Sequence, residues 1–121
     1  MKKEELVFVY NADSGIFNAL MDSLHKIFSP STYDCNLCAI TYSAVRMKRE
    51  WKSFIDGLPV PVHFLHKDEL KKQFNRDDLS LPSVLVLREN SLEVLIEARE
   101  INQVWSLEQL KGLVERKSSF L

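Results

Sequence analysis

The only two cysteines of this chain stand three residues apart, in Thr32-Tyr33-Asp34-Cys35-Asn36-Leu37-Cys38. A helix start or tight turn at that spacing brings both sulfurs together, on a disulfide or on one metal ion. At a helix N-terminus a thiol pKa falls, which makes one sulfur the attacking thiolate. Cys35 is then the expected nucleophile and Cys38 the resolving thiol. A second chemistry enlists Asp22 and His25, which are spaced one helical turn apart, with the cysteines about ten residues further on. Asp22, His25, Cys35 and Cys38 would give two sulfurs, one nitrogen and one oxygen, a set suited to zinc or iron. A third reading is bland. Cysteine is a small, commonly buried hydrophobe, so Cys35 and Cys38 around Leu37 also describe an inert core turn in a non-catalytic interaction module.

A chain of 121 residues is expected to form one domain, 1–121, and to bury a core without needing disulfides. A formal net charge of −1 argues against a nucleic-acid partner, which requires a basic excess. Leu6 to Tyr10 is too short an apolar run for a signal segment or a membrane span. The expectation is a cytosolic protein with no membrane partner. In that compartment, close cysteines are more often catalytic, redox-sensing or metal-binding than structural, and the natural partner is a protein thiol or disulfide.

Residues 5–11, continuously apolar, β-branched or aromatic from Leu6 to Tyr10, suit a strand buried on both faces. Asp13 or Ser14 can then cap a helix running to about Phe28, with Ile16, Leu20, Leu24 and Ile27 on one stripe. Asn18, Asp22 and His25 fall on its polar stripe. Ser29-Pro30 breaks it. A second helix is expected over about 43–56, burying Met47, Trp51, Phe54 and Leu58 and wetting Arg46, Lys48, Arg49, Glu50 and Lys52. Strands follow at Val60 to His66 and Leu81 to Leu87, with a short helix from Asp68 to Phe74 between them. Leu92 to Ala98 completes a hairpin with Leu92, Val94 and Ile96 on one face. Ser106 and Gln109 form a capping box for the last helix, with Trp105 and Leu110 as its staple.

The order is β-α-β-α-β-β-α with an extra helical insertion in the first crossover. It predicts one four-stranded mixed sheet with helices on both faces. That α/β order resembles the thioredoxin-like fold, and Leu81-Pro82-Ser83-Val84 looks like the cis-proline segment opening the third core strand of that family. The resemblance implies a cis Leu81–Pro82 bond beside the C-terminal end of the first strand. It does not carry the family's cysteines over, because the position directly after the first strand is held by Ala12-Asp13-Ser14-Gly15. Residues 10–41 also resemble a group of small bacterial proteins. These share Tyr-Asn-Ala-Asp-Ser-Gly, His25-Lys26, Ser29-Pro30, Thr32-Tyr33 and the Cys35-x-Leu37-Cys38 run. Some of them are labelled GTPases. The sequence has no Gly-x-x-x-x-Gly-Lys-Ser/Thr loop to support such an activity.

In an open α/β sheet, the C-terminal ends of the parallel strands form the functional edge. Asp13, Ser14, His66 and Pro82 should meet there, with His66 a base or ligand; His63 carries no assigned role. A helix rising about 1.5 Å per residue ends some 20 Å from that edge near Phe28. Residues 29–42 have the reach to climb back towards it. If they do, the cysteines approach His66 and Pro82. If they fold over Asp22 and His25 instead, metal binding gains.

Overall fold

The computed structural model describes residues 4–14, 35–42, 47–89 and 91–119. Within them lie strands β1 (Glu4–Val9), β2 (Val62–Leu65), β3 (Ser83–Arg88) and β4 (Ser91–Ile96). The helices are α1 (Asn36–Thr41), α2 (Arg49–Asp56), α3 (Lys67–Phe74), α4 (Ala98–Ile101) and α5 (Leu107–Ser118). The strands form one open sheet in the order β2-β1-β3-β4. β1 and β2 are parallel, with Leu6 opposite Val62 and Val9 opposite Leu65. β3 runs antiparallel to β1, and β4 antiparallel to β3.

A central strand must be apolar on both faces, and β1 is: Leu6, Val7, Phe8 and Val9 are all buried. Leu6, Phe8, Val84, Val86 and Ile96 face one side and pack against Trp51 and Ile55 of α2 and Leu110 and Val114 of α5. Val7, Val9 and Leu85 face the other side and pack against Leu65 and, from α3, Leu70. The Leu81–Pro82 bond is cis, as expected. Because Ser83 pairs with Val9, Pro82 stands at the C-terminal end of β1.

Three local expectations give way to tertiary context. The second helix starts at Arg49 rather than near 43, because Tyr42 and Met47 pair as an isolated bridge and the Lys48 amide donates to Thr41 O at 2.8 Å. Trp51 is buried and Arg49, Glu50 and Lys52 face water as read, while Arg46 lies outside the described residues. In β4, a bulge shifts the register between Val84–Ile96 and Leu85–Val94. The extra residue sends Ile96 to the face opposite Leu92, so the predicted alternation fails, and Val94 is left exposed on an edge strand.

At the start of α5, Ser106 Oγ accepts the Gln109 amide at 3.2 Å, half of the capping box. Gln109 Oε1, however, accepts the Trp105 amide at 2.6 Å, one residue before the expected partner. Nor does Trp105 staple onto Leu110: the indole is 87% exposed while Leu110 is fully buried. Trp105→Ala should therefore change the free energy of unfolding by no more than about 0.5 kcal/mol, the range of surface substitutions. Chemical denaturation followed by circular dichroism measures it.

Candidate functional site

The residues after Asp34 turn into a helix of a single functional turn and a half, and its sequence faces inward. Cys35, Leu37, Cys38, Ile40 and Thr41 are all buried. Cys35 is the N-cap residue; its Sγ accepts the Cys38 amide at 3.3 Å. The Ala39 amide donates to Cys35 O at 3.0 Å and the Tyr42 amide to Cys38 O at 3.1 Å, closing the turns. Thr41 Oγ1 donates to Leu37 O at 2.6 Å, which lets a hydroxyl sit in the core. Cys35 and Cys38 are joined in a disulfide whose Cα atoms lie 5.3 Å apart. Both residues have no exposed surface.

Two ties hold this helix to the sheet edge where β1 ends. At its start, Asn36 Nδ2 donates to Ile101 O at 2.8 Å and to Val104 O at 3.1 Å. Both carbonyls follow β4, whose last residue Ile96 pairs with Val84 near the start of β3. At its end, the Tyr42 ring packs edge-on against Tyr10, centroids 5.8 Å apart. Burial raises the Tyr10 hydroxyl well above its ordinary pKa, and the neighbouring Tyr42 adds to that. Residues 35–42 therefore stand at the edge where β1 ends, while residues 15–34 that lead to them lie outside the described residues. Asn36 was not legible as a site residue: its acceptors lie 65 and 68 residues away, and no local pattern announces them.

The four predicted edge residues come to this end of the sheet. Tyr10 sits 5.5 Å from the His66 ring, centroid to centroid. His66 is the N-cap of α3, and its amide and Nδ1 each lie 2.7 Å from Glu69 Oε1. It is thus an ordered cap rather than a free loop histidine. The Lys67 amide donates to Ala12 O at 2.9 Å. Ser14 donates twice to Asp68, through its amide at 2.8 Å and its hydroxyl at 2.6 Å. Ser14 therefore clamps α3, a role that capping logic did not foresee. Asp13 is exposed beside it. Pro82 is buried at the same end, and Ser83 Oγ is buried with no hydrogen-bond partner. His63, on the far strand, pairs with Glu5 at the surface.

The Ser14 hydroxyl, more than anything else, holds the Asp68 carboxyl below its usual range. A depressed carboxyl pKa contributes stability that is present above the unfolded value and fades as pH falls through the folded one. In Ser14→Ala, the Asp68 pKa should move up towards that of an ordinary aspartate, and the acid-side loss should begin at higher pH. Side-chain carbonyl shifts across an NMR pH titration check it; an unmoved Asp68 would contradict the assignment.

Asp22 and His25, the other half of the metal set, lie outside the described residues. Among the described residues, no group of three or more His, Cys, Asp or Glu side chains could hold a metal ion. No described helix is long and apolar enough to cross a membrane. No protein-family model matches the chain, and no curated protein or solved structure does so either.

Proposed function

We propose that this chain is a thioredoxin-like domain whose Cys35–Cys38 pair cycles between disulfide and dithiol. The observation that carries the reading is the bond between the two sulfurs within the first turn of α1. Supporting it are the strand order β2-β1-β3-β4, with only β1 and β2 parallel, and the ties that hold α1 at the end of the sheet where β1 stops. A four-stranded mixed sheet is what the resemblance to the thioredoxin-like fold implied. The cysteines reach its edge by a different route, from a crossover segment rather than from the turn directly after β1.

Burial fixes the style of the chemistry. A partner thiolate must touch a sulfur in line with the S–S bond, and neither cysteine has exposed surface. Exchange therefore waits on local opening of residues 35–42, which makes the pair a slow redox switch rather than a fast general reductant. In the step itself, a protein dithiol attacks and a mixed disulfide forms. The donor's second thiol then displaces the partner, closing a disulfide on the donor. Two electrons and two protons pass to this chain, whose S–S bond is replaced by two S–H groups. In the reducing cytosol the resting form is the dithiol, and oxidant closes it.

Counting thiols tests the proposal. Protein treated with mild oxidant and then with excess dithiothreitol should gain both alkylatable thiols and lose them again on reoxidation, with an unchanged far-ultraviolet circular dichroism spectrum. A pair that never closes under oxidant, or whose reduction unfolds the chain, rules the switch out.

A further inference from the structure

Beside the Ser14–Asp68 clamp, on the α3 side of the sheet edge, lies a cavity of about 240 Å³. It is small against the general range of ligand pockets, roughly 300–1,000 Å³, and fits a metabolite of a few heavy atoms. Its apolar lining comes from Leu70, Leu79 and Leu81, and all three belong to or pack against the core under α3. Its polar lining is all charged, and most of those charges are spent. Asp68 accepts both donors of Ser14. Lys71 pairs with Asp77 at 3.2 Å, and Arg76 pairs with Asp78 at 2.8 Å.

Two charges remain. Neither the Lys67 ammonium nor the Asp13 carboxylate is engaged in an ion pair among the described residues, and both residues are exposed on the cavity wall. Their backbones are nonetheless fixed to one another. Ala12 O accepts the Lys67 amide, and the residue after Asp13 is bonded to the residue after Lys67. One free cation and one free anion, held on neighbouring chain segments above a leucine lining, make a recognisable complement. It is the complement of an α-amino acid with an apolar side chain. The location agrees with the general placement of ligands outside the carboxyl ends of parallel strands.

We infer that this cavity binds a free apolar α-amino acid, its carboxylate on Lys67, its ammonium on Asp13 and its side chain against Leu70, Leu79 and Leu81. The site is independent of the cysteines, so the redox reading can fail without touching it. Exposed charge contacts are weak one by one, and the expected dissociation constant lies in the millimolar range.

The test is a titration of isotopically labelled full-length protein with L-leucine, followed by amide chemical shifts. Saturable shifts are expected at residues 12–14, 67–71 and 76–81. Glycine, 4-methylpentanoate and 3-methylbutylamine lack the apolar chain, the ammonium and the carboxylate in turn, and each should bind about threefold to fivefold more weakly, the size of one lost exposed contact. Lys67→Gln should abolish the preference for L-leucine over 3-methylbutylamine, and Asp13→Asn the preference over 4-methylpentanoate. Both positions are exposed, and the spectrum of each variant reports that it is folded. Absence of saturable shifts with L-leucine, shifts centred elsewhere, or equal binding of all four compounds would overturn the inference.

Discussion

Replacing Trp51 by alanine is expected to cost about 3–5 kcal/mol, the usual range for deleting a large core aromatic. The indole is completely buried on the sheet face shared by α1, α2 and α5. It meets the Phe8 ring of the central strand edge-on at 5.6 Å and stacks on Phe54 at 5.5 Å. Its removal opens a cavity between α2 and β1 that neither side can close without breaking strand pairing. Its Nε1 is buried without a hydrogen-bond partner, so the lost stability is packing and not a polar contact. Urea denaturation of wild type and Trp51→Ala measures the difference directly. A cost near that of the exposed Trp105 would mean that α2 does not pack through Trp51.

The second large effect concerns access to the sulfurs. Asn36→Ala removes the donor that holds Ile101 O and Val104 O, and with it one of the two ties on α1. A lost hydrogen bond of this kind is worth about 1–1.5 kcal/mol net, and local opening pays that directly. Reduction of the closed Cys35–Cys38 bond by dithiothreitol should therefore run roughly tenfold faster in the variant. Lys52→Ala, at an exposed i,i+4 pair on α2, serves as a control and should leave the rate alone. Equal rates in Asn36→Ala and wild type would show that opening does not pass through that tie. Reduction itself should cost only about 2 kcal/mol of global stability, because the loop it releases is very short.

How much of this was readable in the chain divides along physical lines. Strand β1 and the entry to β3 at Pro82 were legible because continuous apolar runs admit few alternatives, and the register between Val9 and Ser83 then brings Pro82 to the expected edge. The hairpin was legible as a pair but not in its facing, because a bulge of one residue inverts everything beyond it and leaves no mark in composition. Trp105 looked like a staple because its spacing from Leu110 fits; Gln109 instead takes the Trp105 amide and the ring turns outward. The cysteine spacing predicted convergence of the sulfurs. Their burial around Leu37 is what the core-turn reading expected, whereas Asn36 was not legible, since its acceptors lie 65 and 68 positions later.

Ser14 shows the same limit at closer range. Its residue type marks a helix cap, yet its described bonds run to Asp68, 54 residues away. That contact joins the turn after β1 to α3 and so assembles the edge that Asp13, His66 and Pro82 were expected to share. The histidine there is ordered by Glu69 at its own helix start, a capping pairing at i and i+3 that the local sequence does contain.

The midpoint potential of the Cys35–Cys38 couple tests the central claim most directly. Protein equilibrated across dithiothreitol ratios, quenched in acid, alkylated and weighed should show one two-electron transition. A pair that cycles against cellular dithiols needs a potential of roughly −270 to −180 mV, and that is the result expected. A midpoint below about −300 mV would mark a bond that cellular thiols do not open, and would contradict the switch.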